Sequence, residues 1–160
     1  MTVILSAVGF WAPITFARVG DDHKPEIVKF RARFKHLKKS ERRALDRRLN
    51  VRALTAPVRE ELQARIDQGV VTGSEKEELQ LLLSAVPITD AELLNDLLVD
   101  WDLKDREDKF IPYTLAVREE QEEALDGLEA AIVTGYFDAK REAVSPEAIA
   151  KNSEAPSATS

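Results

Sequence analysis

A chain of 160 residues, with 44% hydrophobic and 32% charged side chains, describes one ordinary globular domain with at most a small appendage. That length buries roughly 68–70% of the surface its unfolded form exposes, so no covalent staple is required. Cysteine is absent and only His23 and His36 represent histidine, which excludes disulfides, thiolate zinc sites and cysteine nucleophiles and leaves any metal to carboxylates.

The opening "MTVILSAVGF" is apolar but has no positive n-region and no cleavage motif before Trp11 and Pro13. No stretch reaches the ~20 apolar residues of a membrane span. A soluble intracellular protein is the expectation. "TVILSAV" is a candidate strand, and "PITFARV" a stronger one. In "PEIVKFRARFKHL", Val28, Phe30, Ala32 and Phe34 alternate with Lys29, Arg31, Arg33 and Lys35, the period of a half-buried strand. "GDDHKP" supplies turn chemistry between the two, so a hairpin is expected over about 13–37.

From Ser40, a candidate N-cap, the pattern becomes helical. "TAPVREELQARIDQGVV" places Pro57 in a first turn and Val58, Leu62, Ile66 and Val70 in one stripe. Capping boxes are expected at Ser74/Glu77 and Thr89/Glu92. They open helices that turn Leu79, Leu82, Leu83 and Val86, then Leu93, Leu94, Leu97, Leu98 and Trp101, toward a core. After the loop "KDREDKFIPY" a last long helix is expected over about 114–143, with Leu125, Leu128, Ile132, Tyr136 and Ala139 in register. Gly127 and Gly135 cost it roughly 1 kcal/mol each relative to Ala and allow a bend. The end, rich in Ser, Ala and Pro, reads as disordered.

The expected fold is therefore α+β and mostly α-helical. An N-terminal β-hairpin, with a candidate third strand, packs with about five helices. The expected division is a hairpin region at 1–38, a helical region at 39–143 folded with it as one unit, and a flexible tail at 144–160.

Catalysis finds no foothold: the six glycines make no GxGxxG or P-loop pattern, and no serine sits in a nucleophile elbow. "DWDLKDREDKF" fails as an EF-hand, offering Lys104, Asp105 and Ile111 where a ligand oxygen, Gly and Glu are needed. No enzyme, cofactor or metal is expected. His36 reads as a packed or surface histidine and Trp101 as core, while Trp11 belongs to no clear periodic pattern.

The chemistry-bearing feature is the run 29–52, with eleven Lys and Arg against two acids in a chain whose net charge is -6. A nucleic-acid reading uses Lys29, Arg31, Arg33 and Lys35 on a strand, then Arg42 and Arg43 with their neighbours on a helix. Two features weigh against it. Phe30 and Phe34 alternate away from the cations and cannot offer stacking faces beside them. The remainder of the chain carries 12 basic and 27 acidic side chains, a net of -15 that repels phosphate. The better reading is a solvated face suited to an acidic protein surface, such as the acidic remainder of a neighbouring subunit.

Several segments in order, "KFRARFKHLKKSE", "ITDAELLNDLLVDWDLKD", "FIPYT", "AAIVTGYFDA" and a late "AKN", resemble the tail assembly chaperones of long-tailed bacteriophages over about residues 14–152. The chain departs from that pattern with "DREDKFIPY" in place of a "DEDGEP" lead-in and with "REEQEEALDGL" in place of the short Leu-Leu-Asp-Ile-Pro-Gly-Val segment that usually follows. The resemblance implies a non-enzymatic protein of the host cytoplasm that coats the helical tape measure protein, keeps it soluble and recruits the major tail tube protein. A homo-oligomer is compatible with it; a membrane partner is not expected. A helical client would lie along an apolar groove, for which Leu93, Leu97, Ile132 and Tyr136 are the candidates. The alternatives are a nucleic-acid-binding adaptor using 29–52 and a permanent structural component of a tail.

Overall fold

The computed structural model describes residues 9–144, so the candidate strand at "TVILSAV" and the C-terminal tail lie outside the described residues. The hairpin is present and longer at its start than expected, with strand β1 at Phe10–Val19 and β2 at Pro25–Phe34. Its antiparallel register pairs Phe10 with Phe34, Ile14 with Phe30 and Val19 with Pro25. The turn closes through Gly20 N–H to Lys24 O (2.8 Å) and His23 N–H to Gly20 O (3.0 Å), with His23 in the left-handed region at φ 62°.

The chain then forms α1 (Lys39–Ala53), α2 (Ala56–Asp67), α3 (Gly73–Ser84) and α4 (Asp90–Leu97). The segment expected to prolong α4 through Trp101 is instead strand β3, Leu98–Trp101, added antiparallel to β2 to give a sheet of order β1-β2-β3. Ala32 faces Trp101 and Phe34 faces Leu98, with a bulge between Arg33 and Phe34. The long final helix is broken into α5 (Leu115–Ala124) and α6 (Leu128–Val144). The break falls at Gly127, whose φ of 87° no helix interior accommodates. Gly135 sits inside α6 without a break: a Cβ there would meet Ile14 Cδ1 at 2.3 Å. Its smallness lets helix and strand approach, and it marks no bend.

Two expected caps are displaced. α1 starts one residue before Ser40, with Lys38 as N-cap and its N–H donating to Glu41 Oε1 (3.2 Å). α3 starts at Gly73 after Thr72, so Ser74 lies within its first turn and not at its cap. Thr114 caps α5 as its position allows, its hydroxyl accepting from Val117 N–H (3.1 Å).

The described chain divides into two compact units, which redraws the expected division. One unit runs over Leu37–Thr89 and the other joins the hairpin to everything from Asp90 onward. The reason is burial: the hairpin's apolar face needs cover, and α6 packs on β1 while α4 and α5 pack on α6. In this sheet unit Ile14, Phe34, Leu93, Leu97, Leu98, Trp101, Ile132 and Tyr136 are all buried. Phe34 and Tyr136 lie ring to ring at 5.0 Å, and Trp101 meets Phe30 and Tyr113 edge-on.

In the helical unit, α3 packs on both α1 and α2. The expected stripe on α2 is only partly realised. Ile66 is buried, but Val58 and Val70 are exposed and Val71 takes the inner place. The helix ends at Asp67 and the chain turns at Gly69 (φ 69°), so Val70 no longer follows helical spacing.

Candidate protein-interaction surfaces

The basic run is shared between the two units. His36 ends the sheet unit and Leu37 begins the helical unit, so the run is divided between two folded bodies.

In the sheet unit, β2 alternates as its sequence demands. Phe30, Ala32 and Phe34 are buried, while Lys29, Arg31 and Lys35 are exposed and Arg33 is half-buried. Trp11 stands on this outer face, opposite Arg33 in the register. The Arg31 and Arg33 guanidiniums lie 5.0 and 5.8 Å from its ring centroid, both within cation–π range, and the ring is 39% exposed. Arg33 Nε is buried there with no acceptor among the described residues. Arg31 is partly neutralised: its Nε donates to Asp102 Oδ2 (2.8 Å), and its main-chain N–H donates to Asp102 Oδ1. Desolvation pushes the Asp102 carboxyl upward, but the two Arg31 hydrogen bonds and the Arg31 charge outweigh it and hold the group below its ordinary range. His36 is exposed at the strand's end, with its ring 5.4 Å from Phe10.

In the helical unit, the α1 cations are largely occupied. Arg47 makes a forked pair with Glu78 (2.9 and 3.1 Å), Arg48 Nε donates to Val86 O (2.9 Å) and Arg52 Nη1 to Ile88 O (3.3 Å). The Arg47 hydrogen bond holds Glu78 below its ordinary range. These three arginines tie α1 to α3 and to the segment after it. Arg42 and Arg43 remain exposed, and Arg43 joins Lys38, Lys39, Ser40 and Arg47 around an open hollow of about 600 Å³.

The expected groove residues are not at a surface. Leu93, Leu97, Ile132 and Tyr136 are each no more than 3% exposed, locked under the sheet. Their helical spacing records the packing of α6 on β1 and of α4 on α6 and β3, and a client cannot reach them while that unit is folded. An open apolar hollow occurs elsewhere. Between α2 and α3, Leu62, Leu79 and Leu82 form the floor of a cleft of about 330 Å³, with Arg47, Arg65, Glu75 and Glu78 at its rim. No residue of α3 is fully buried, and Leu81 is 48% exposed. The α3 stripe was legible in the sequence; its incomplete cover was not.

Trp11 is the residue that periodicity left unplaced. The signal was present once the strand is begun at Phe10: Ala12 and Ile14 then fall inside, and Trp11, Pro13 and Thr15 outside. Among the described residues no three His, Asp or Glu side chains converge as metal donors would, and no helix is long and apolar enough to cross a membrane. The segment 104–110 closes as a small loop, with Asp105 Oδ1 accepting from Glu107 and Lys109 N–H (2.9 and 3.0 Å). Comparison with protein-family models, curated proteins and solved structures found no match to this chain.

Proposed function

We propose that this chain is a tail assembly chaperone of the long-tailed phage kind. In the host cytoplasm it holds the tape measure protein soluble and recruits tail tube subunits, performing no catalysis and taking no cofactor. The observation that carries the reading is the cleft between α2 and α3. Its leucine floor and mixed-charge rim suit an amphipathic helix laid in by i, i+3, i+4 contacts, and the tape measure protein is a long helical client. The resemblance supports it as well. Its segments supply β2, α4 with β3, the cap of α5 and α6, where Phe34 packs on Tyr136 and Trp101 on Tyr113.

The test is co-expression with the tape measure protein of the same genome, followed by co-purification at low and high salt. A soluble complex is expected in both, and it should be lost with Leu79→Asp/Leu82→Asp while circular dichroism stays unchanged. Tape measure protein that aggregates regardless of the chain refutes the reading. A permanent tail component would be found in purified particles, where a chaperone is absent.

One observation favours the nucleic-acid alternative. Trp11, partly exposed beside two guanidiniums, has the makings of a base-stacking platform. Copurified nucleic acid whose affinity falls linearly with log salt, and fails with Trp11→Ala, would establish it.

A further inference from the structure

The β2–β3 ladder is short, and it leaves half of β2 uncovered. It pairs Ala32, Arg33 and Phe34 with β3, and Arg31 C=O still accepts from Asp102 N–H (2.9 Å). The chain then swings away from β2. Antiparallel strands alternate their main-chain groups from one neighbour to the other. Arg31 directs its N–H and C=O toward β3, so Lys29 and Ile27 direct theirs the same way. Among the described residues no main-chain partner meets them there. Among the described residues, two donors and two acceptors along that edge have no main-chain partner.

Beside that edge lies a hollow of about 430 Å³. Val28, Leu103, Ile111 and Leu125 provide its apolar part, and Lys29 and Lys104 stand on its border. The Arg31–Asp102 pair closes the end of the β3 ladder, and Arg106, which lines the hollow, donates from Nη1 to Asp21 Oδ2 (3.1 Å). The second pair is largely solvent-exposed, and pairs of that kind contribute little stability, so it is a weak latch. The outer edge of β1 is treated differently. Pro13, opposite Arg31, occupies a position whose N–H would point outward, and it removes that donor. One edge of the sheet is thus blunted, and the half-edge of β2 is open beside a cavity.

We propose that the free half-edge of β2 is a strand-addition site for an extended segment of a partner protein that alternates apolar with acidic side chains. An added strand bonds to Ile27 and Lys29 through its main chain. The residue opposite Val28 turns inward and fills the apolar hollow, while its neighbours turn outward beside Lys29. Charge complementarity selects the occupant: Arg18 pairs with Glu26, Lys104 with Asp108 and Arg106 with Asp21, which leaves the exposed Lys29 as the cation at this edge with no acidic partner among the described residues. A carboxylate is favoured at the outward positions, and a lysine there is repelled. The site stands on this geometry and does not rest on the tail-assembly reading.

The experiment uses the full chain and a short labelled peptide alternating valine with glutamate, followed by fluorescence anisotropy and amide hydrogen exchange. In the free protein the Ile27 and Lys29 amides should exchange fast while those of Val28 and Phe30 are protected. Peptide binding should slow Ile27 and Lys29 selectively. Methylating alternate peptide amides should weaken binding about tenfold or more, as loss of one or two net hydrogen bonds implies, and replacing glutamate by lysine should weaken it through repulsion from Lys29. Leu125→Arg, which fills the hollow from the helix side, should do the same without changing the β1–β2 amides. Three results would overturn the proposal: equal binding of the methylated peptide, unchanged exchange at Ile27 and Lys29, or protection of those amides that grows with protein concentration alone, which would mean a second copy already covers the edge.

Discussion

Replacing Gly135 by alanine tests whether the helix–strand approach in the sheet unit is as close as its geometry states. The added Cβ would sit 2.3 Å from Ile14 Cδ1 and 3.1 Å from Pro13 O, against the roughly 3.5–4.0 Å optimum for carbon pairs. Ile14 is 1% exposed, so its terminal methyl cannot swing into solvent. Overpacking of this kind costs about 2–3 kcal/mol, within the usual range for inserted methyl groups. Alanine recovers about 1 kcal/mol of helix propensity over glycine. The net expectation is a destabilisation of about 1–2 kcal/mol. Ile14→Val removes the clashing methyl and by itself should cost about 0.5–1.5 kcal/mol. In that background Gly135→Ala should become nearly neutral, giving a coupling of about 1–2 kcal/mol. Urea titration followed by tryptophan fluorescence is the suitable assay, since Trp11 and Trp101 both belong to the sheet unit. If Gly135→Ala stabilised the protein by about 1 kcal/mol with no coupling to Ile14, propensity alone would be acting and the close approach would be refuted.

Arg118 is 1% exposed, donating to Tyr113 OH (3.2 Å) and Asn95 Oδ1, with Nε 3.1 Å from Glu122 Oε1. Arg118→Met should destabilise by about 1–3 kcal/mol by leaving the half-buried Glu122 carboxylate without its cation, and Glu122→Leu added to it should restore most of that loss in the same urea assay. Burial, opposed by Arg118 and reinforced by Glu129 and Glu119, raises the Glu122 pKa above 4.5. The folded state then holds the extra proton between the unfolded and folded values, so this group makes stability fall as pH rises from about 4.5 through the raised value. Glu122→Gln should remove that part of the slope. Asp102 acts with the opposite sign: its folded pKa is depressed, so its contribution is present above 3.8 and lost as pH falls through the lowered value. Asp102→Asn should flatten the acid limb, measured by thermal melts from neutral pH downward. Trp11→Ala should leave the melting temperature within a few degrees, because the ring packs on two exposed-face arginines and not in the core; a loss above about 2 kcal/mol would contradict its placement.

The alternation Val28, Phe30, Ala32, Phe34 identified β2 and its inner face without help, because a period of two has few other uses. The buried set Leu93, Leu94, Leu97, Leu98 and Trp101 was equally legible, yet its last part was assigned to the wrong element. Leu98 and Trp101 are three apart, which on a helix means one face. In β3 the extra residue Val99 forms a bulge, so Leu98 and Trp101 again share a face while Val99 and Asp100 stand outside. Spacing alone cannot separate these cases. What separates them is the β2 edge, whose Arg33 and Arg31 main-chain groups capture the segment, and that edge lies some seventy residues away in sequence.

The same limit governs the candidate surfaces. Local pattern determined which side chains are apolar, which are charged and which faces they share. Whether a stripe becomes core or groove depends on what covers it. Leu97 and Ile132 are sealed because the hairpin needed a lid, whereas Leu79 and Leu82 stay half-buried on α3, which packs on α1 and α2. The basic run shows it most simply. Its charge was plain in the sequence, but its division between two folded units, the spending of Arg47, Arg48 and Arg52 on internal bonds and the arrival of Trp11 beside Arg31 and Arg33 are consequences of long-range pairing, which no local period encodes.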